Sequence, residues 1–172
     1  MKLKSVQAES ISELQSICKE VYSINFGNHW EEGGLEMYLE SQFGDARMQK
    51  DLTDPNVLYF FIEDAGANIG FAKAKLDVKI EGFTSSDMAE LEKIYILPGH
   101  KGKGIGRKVM TQIMEICKAR SMEHLYLCVI DTNYAAQAFY EKLGFSFHSK
   151  IRLDAPNFKE ELRGLNRMIK VL

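Results

Sequence analysis

Hydrophobic and polar positions along this chain follow two periods, and the places where one gives way to the other predict its elements. Leu3 to Val6 reads as a short first strand. Ile11, Leu14, Ile17, Cys18, Val21 and Tyr22 then recur at helical spacing, behind the capping-box spacing of Ser10 and Glu13. Between Asn25 and Asp51, Phe26, Trp30, Tyr38 and Phe43 are mixed with Glu31, Glu32, Glu36, Glu40 and Asp45. One or two further helices are predicted there, starting near Gly33. Asp54-Pro55-Asn56 is a turn signal. Runs rich in β-branched and aromatic residues at Val57–Ile62 and Ile69–Val78 predict two strands joined by a polar hairpin loop at Asp64–Asn68.

The second half of the chain is more regular. A loop at Lys79–Asp87 leads into a strand at Met88–Leu97. A helix from Ile105 to about Arg120 is predicted to bury Ile105, Val109, Ile113, Met114, Ile116 and Cys117. Leu125–Ile130 is apolar on both faces, the pattern of a central strand covered on each side. Thr132 or Asn133 caps a helix that turns Ala135, Ala138, Phe139 and Leu143 inward, and Gly144 ends it at the position after the cap. Strands at Phe145–Leu153 and Arg167–Leu172, separated by a loop at Asp154–Asn166, complete the pattern. There is no repeat, low-complexity segment or linker, so residues 1–172 read as one mixed α/β domain.

Composition narrows the classes. A chain 45% hydrophobic and 27% charged is an ordinary globular one, and a net charge of −2 does not suit general nucleic-acid binding. The basic residues between 101 and 108 are a local cluster. Cys18, Cys117 and Cys128 are widely spaced within apolar patterns and read as reduced core thiols of a cytoplasmic protein. No apolar run reaches membrane-spanning length, and Met1-Lys2-Leu3-Lys4 lacks the apolar segment of a signal peptide. His29, His100, His124 and His148 show no metal-ligand spacing, so no metal site is expected.

The chemistry concentrates at Leu91–Arg107. A strand ends at Pro98-Gly99, then Gly102, Gly104 and Gly106 stand at alternate positions before a helix. Such a loop lets backbone N–H groups converge on an anion, and the helix start adds unsatisfied donors and the positive end of its dipole. Lys101, Lys103 and Arg107 bring positive charge to the same place. The stretch reads as a cradle for a phosphate or pyrophosphate, with a ligand-free turn as the alternative. It is not a Walker loop, since Ile105 follows Gly104, nor a dinucleotide fingerprint, since Arg107 stands where the third glycine would be.

Lys101-x-x-Gly104-x-Gly106 after a strand resembles the acetyl-CoA signature of the GNAT N-acetyltransferase superfamily, Gln/Arg-x-x-Gly-x-Gly/Ala, with Lys101 departing from Gln/Arg. Asn133-x-x-Ala136-x-x-Phe139-Tyr140-x-x-x-Gly144-Phe145 resembles that family's second signature. Together the two cover about the last half of the chain. The likeness of the first half is looser, to bacterial relatives of spermidine/spermine acetyltransferases. The resemblance implies a mixed central sheet with helices on both faces, in the order β-α-α-β-β-β-loop-α-β-α-β-β. It implies acetyl-CoA as co-substrate and a small-molecule amine acceptor, with a polyamine-like one as the first choice. The alternatives are a peptide or protein amine, or a sensor that binds acyl-CoA without turnover. A homodimer is a possible assembly.

By the same resemblance, Gly102, Lys103, Gly104, Ile105, Gly106 and Arg107 with Lys101 would hold the pyrophosphate. Ile94 and Ile96 would pair with pantetheine through their backbone, and Asn133 would hydrogen-bond the pantetheine arm, although a plain N-cap also explains it. Glu92 falls where the family's polyamine enzymes carry their base. Its alternative role is a salt bridge with Lys93 or Lys73. Glu90 shares the strand face two residues away. Tyr140 would act as the acid toward the leaving thiolate, with core packing as its alternative. Glu31, Glu32, Glu36 and Glu40 are either a solvated face or one wall of a pocket for a cationic acceptor.

Overall fold

Seven strands, β1 (Lys2–Ser5), β2 (Val57–Asp64), β3 (Ala67–Lys75), β4 (Met88–Ile96), β5 (His124–Ile130), β6 (Ser146–Arg152) and β7 (Gly164–Val171), form one sheet in the order β1-β2-β3-β4-β5-β7-β6. The computed structural model describes residues 1–83, 87–100 and 102–172. Part of the expected Lys79–Asp87 loop and the whole of Lys101 therefore lie outside the described residues. Among the described residues only β4 and β5 pair in parallel; every other neighbouring pair is antiparallel.

β2 shows why this sheet is apolar on both sides. Phe60 and Ile62 enter one core, while Tyr59 and Phe61 enter the other, as the period-two alternation of a strand demands. The first core is covered by α4 (Ile105–Ala119) and α5 (Tyr134–Glu141), the second by α1 (Ile11–Phe26), α2 (Gly34–Phe43) and α3 (Asp45–Thr53). The expected mixed sheet with helices on both faces is what is observed. Leu14 and Val21 of α1 and Phe71 of β3 are fully buried in the second core. Truncating Leu14 to Ala would cost about 2–5 kcal/mol, the usual range for a core leucine.

Several local expectations are corrected. The segment after α1 holds two helices, within the one or two predicted, so three precede β2 where the family order has two. Ser10 stands at the start of α1, but its side chain makes no capping bond. In α5 the packed face is Ala136, Phe139, Tyr140 and Leu143, at i, i+3, i+4 and i+7, and Ala135 is exposed. In α4, Met110 is also buried, whereas Met114 and Ile116 are only partly so. β7 begins at Gly164, earlier than Arg167, where it pairs with Arg152, and the missing Cβ leaves room for the Asp131 carboxylate. The end of α5 is as expected. Gly144 adopts φ +88°, its N–H bonds the Glu141 carbonyl at 2.9 Å, and the Phe145 N–H reaches back to the Tyr140 carbonyl at 3.1 Å. This double closure is a Schellman motif, and it brings Phe145 against the Tyr140 ring.

Candidate active site

The site begins with an irregularity in β4. Lys73 pairs with Lys93 but Ala74 pairs with Leu91, which leaves Glu92 as an extra, bulged residue. A bulge bends and twists its strand. On the other edge of β4, pairing with β5 runs only from Met88–His124 to Leu91–Leu127, although both strands continue. Past that point their residues line a cavity of about 700 Å³.

The Leu97 N–H donates to the Ile69 carbonyl at 2.9 Å, which fixes the alternation along β4. Residues 93, 95 and 97 turn their backbone groups to β3, so Ile94 and Ile96 turn theirs to the gap. The Ile96 carbonyl accepts from the Asn25 side chain at 3.2 Å. A sheet edge of this kind is a template for an extended, amide-bearing ligand.

Glu92, Ile94, Ile96, Asn133 and Tyr140 all line this one cavity. Asn133 caps α5, its Oδ1 accepting from the Ala136 N–H at 3.1 Å, which leaves its amide NH₂ for other partners. The Tyr140 ring lies between Phe139 and Phe145, with centroids 5.2 and 5.9 Å away. Burial pushes its phenol up to about 12, so it is protonated at neutral pH. Among the described residues no protein hydrogen bond occupies its hydroxyl.

Glu92 is enclosed by cations. Its carboxylate lies 2.5 Å from Lys75 Nζ and 3.2 Å from Lys73 Nζ, and it also contacts Lys93 Nζ. Both salt bridges that offered an alternative role for Glu92 are thus formed. Burial alone would raise this carboxyl, but Lys93, Lys73 and the hydrogen bond from Lys75 hold it well below the usual carboxylate range. Lys73 continues to Asp51 of α3 at 2.6 Å, which also accepts from the Tyr59 hydroxyl and from Arg47 Nε, each at 2.9 Å. Glu90 shares the face of Glu92, with Lys75 4.0 Å away, and burial raises its carboxyl; it does not line the cavity.

The opposite side of the cavity is aromatic. Tyr22 and Phe26 come from α1, Trp30 from the segment after it and Tyr38 from α2, with Tyr22 and Tyr38 stacked at 4.5 Å. Residues 153–158 strap across it. Trp30 and Phe158 form an isolated bridge, and the Glu31 N–H bonds the Asn157 carbonyl at 2.8 Å. Gly34 permits the close fit, since a Cβ there would lie 2.6 Å from that of Asn157. Glu31, Glu32, Glu36 and Glu40 are exposed, and none lines the cavity, which places them on the solvated face.

Cys128 is half-buried; it packs against the small core of Ile80, Met88, Tyr126 and Ile169 and also lines the cavity, its thiol raised chiefly by burial. Asn25, Lys93, Cys128 and Phe158 are wall residues that sequence reasoning did not single out for the site. They meet across the sheet, and no local spacing signals that.

The glycine loop lies apart from the cavity lining. Gly102 and Gly104 hold φ +78° and +74°, where glycine has no steric cost. Gly104 is the N-cap of α4, without a side-chain cap, so the first-turn N–H groups remain open. Gly106 faces the Phe139 ring of α5, where a Cβ would stand at ordinary contact distance, 3.5 Å. Lys103 and Arg107 are exposed beside the loop, Ile105 is buried, and Lys101 is outside the described residues. Among the described residues there is no cluster able to hold a metal, and no helix is long and apolar enough to cross a membrane.

The sequence profile of the acetyltransferase (GNAT) family matches residues 14–145. An uncharacterised N-acetyltransferase of Lactobacillus delbrueckii subsp. lactis is 21% identical over 150 residues, 87% of each chain. The PaiA N-acetyltransferase of Thermoplasma acidophilum, solved with coenzyme A, has the same fold at a TM-score of 0.73, with 18% identity over 100% of both chains. Spermidine N-acetyltransferase of Vibrio cholerae, solved with CoA and spermine, superposes at 0.69 with 20% identity, covering 99% of this chain and 94% of that one.

Proposed function

This chain belongs to the acetyltransferase (GNAT) family as an acetyl-CoA-dependent N-acetyltransferase, and we propose that it acetylates a small primary amine by direct attack inside the β4–β5 cavity. The observation that carries this reading is the opening of the sheet beyond Leu91 and Leu127, with Glu92 and the protonated Tyr140 both facing the space it creates.

The residues fit the co-substrate. The gap-facing backbone of Ile94 and Ile96 would pair with the pantetheine amides, assisted by the Asn133 amide. The open N–H groups behind Gly102 and Gly104, with Lys103, Ile105, Gly106, Arg107 and Lys101, would take the pyrophosphate. Acetyl-CoA supplies an activated acetyl group as a thioester. An alkyl amine has a pKa of about 10 and arrives mostly protonated, so one proton must leave before nitrogen has a lone pair to attack with, and a second leaves as the tetrahedral intermediate collapses to the amide. Glu92 takes these protons in transit, directly or through a water, and passes them to solvent, because a carboxyl held this low does not retain one. The Tyr140 hydroxyl donates to the departing sulfur as the C–S bond breaks and regains its proton from solvent.

The ring-lined wall and a carboxylate already occupied by lysines suit an acceptor with an apolar body and a single ammonium. A polyamine-like chain is the second reading. It is favoured by the affinity of aromatic rings for alkylammonium groups and by Asp154 at the cavity wall. CoA release measured with hexylamine, 2-phenylethylamine, spermidine and a short peptide tests both. Faster turnover of the monoamines supports the first reading and faster turnover of spermidine the second. Release only with the peptide would move the reading to a peptide acetyltransferase. Binding of acetyl-CoA with no release for any acceptor would make the chain a sensor.

A further inference from the structure

Lys73 has no part in the steps above, yet its side chain is only 1% exposed. An ammonium in such a place survives only if it is paired, because leaving it unpaired would be far more costly than losing a surface charge. Its two carboxylate partners come from different layers. Asp51 stands on α3 and is itself held by Arg47 and Tyr59, whereas Glu92 is the bulged residue of β4. A bulged residue has no ladder partner, so its strand pairing alone does not fix where its side chain points. Lys73 and Lys75 supply that constraint from the neighbouring strand, and of the two only Lys73 is tied in turn to a second layer, through Asp51.

We propose that Lys73, anchored on Asp51, is a positioning residue that clamps the Glu92 carboxylate in its ionised form at the floor of the cavity. The inference rests on the reading that Glu92 faces the acceptor amine. The charged groups around the carboxylate agree with it. Lys73 and Lys75 reach it from β3 and Lys93 from β4, and Arg47 of α3 adds a fourth cation nearby. Against these stand Asp51 and Glu90. Tyr38 on α2, Tyr59 on β2 and Tyr95 on β4 also face the cluster, and burial holds all three phenols protonated. The cations prevail, and Glu92 stays charged across the working pH range. The acid limb of kcat/KM then reports protonation of the acceptor amine and not of Glu92.

The test follows the Glu92 carboxyl carbon by ¹³C NMR through an acid titration, its signal assigned with Glu92→Gln. The parent is compared with Lys73→Met, and with Lys73→Met combined with Asp51→Asn, which leaves no buried charge unpaired if the single variant fails to fold. In the parent, Glu92 should show no titration above about pH 4. In the folded variant its midpoint should rise by about 1–2 pH units, with unchanged affinity for CoA. An unchanged Glu92 midpoint would overturn the proposal. Absence of turnover in the parent would overturn the acetyltransfer reading instead, and the titration would still decide the role of Lys73.

Discussion

Leu91 and Leu127 form the last parallel pair between β4 and β5, although the two strands run on to Ile96 and Ile130. The bulge at Glu92 turns β4 away at that point, and the sheet loses a run of hydrogen bonds. Backbone groups left open in this way need another partner. If pantetheine is that partner, the Ile94 and Ile96 amides should exchange quickly in the free protein and slow markedly when CoA is added. The Tyr95 amide, turned to β3, should be protected in both states. Hydrogen exchange read by NMR checks the alternation residue by residue, and unchanged Ile94 and Ile96 rates in saturating CoA would exclude the added-strand arrangement.

Gly104→Asp tests the phosphate cradle. Its position is open to a Cβ but has φ +74°, which Asp tolerates better than most residues, so the fold should survive. The carboxylate then stands where the pyrophosphate is proposed to bind, at the positive end of α4. CoA affinity measured by calorimetry should fall by at least about tenfold, the equivalent of about 1.4 kcal/mol. Unchanged affinity in a folded variant would move the cofactor away from this loop.

The distribution of what could be foreseen has a physical cause. The glycine loop, the Asn133 cap and the Gly144 closure are local features, each fixed by a few neighbouring residues, and they were legible in the sequence. The bulge at Glu92 was not, because it depends on how Lys73 and Ala74 register against β4. The salt bridges of Glu92 with Lys93 and Lys73 could be foreseen, but not that Lys75 joins them or that Lys73 continues to Asp51, 22 positions away in sequence. For the early glutamates the sequence left two readings open, and the solvated face is the one that holds. Glu31, Glu32, Glu36 and Glu40 are near the aromatic wall in sequence, but they point outward from it.

That outward placement makes a prediction of its own. Glu31→Gln combined with Glu32→Gln should leave KM for a cationic acceptor unchanged, because neither side chain lines the cavity. A surface pair of this kind should also leave stability within about 0.5 kcal/mol of the parent. A raised acceptor KM at constant acetyl-CoA KM would bring these residues back into the acceptor path.

Acid stability should follow the buried cluster. Asp51, despite burial, is lowered by Lys73, Tyr59 and Arg47, and Glu92 is lowered more strongly. Both carboxyls therefore bind protons more weakly folded than unfolded. Their contribution is present above the unfolded carboxylate range near pH 4 and is lost as pH falls through the folded values. Melting temperature should accordingly drop steeply below about pH 4, and Asp51→Asn should flatten that dependence while lowering stability at pH 7. Removing one partner from a buried pair typically costs about 3–5 kcal/mol. A parallel pH dependence in parent and variant would show that Asp51 does not carry this linkage.

Tyr140→Phe separates chemistry from packing, because the residue has a stake in both. Its ring packs between Phe139 and Phe145, and phenylalanine keeps that contact. Only the hydroxyl is lost, and among the described residues it has no protein hydrogen bond to lose with it. Melting temperature and CoA affinity should therefore stay near the parent's. The phenol is held protonated by burial, at about 12, so it is present as a donor but is a weaker acid than a free tyrosine, and its help to the sulfur is chiefly a hydrogen bond. A thiol with a pKa of about 8.5 is already a tolerable leaving group, so the enzyme should be slowed and not silenced. A fall in kcat of about 10-fold to 10³-fold with little change in KM is expected, the mark of an interaction made only in the transition state. The loss should be smaller for an acyl donor with a more acidic thiol, which needs less help to depart. A variant that keeps the parent's kcat and melting temperature would reduce Tyr140 to a packing ring.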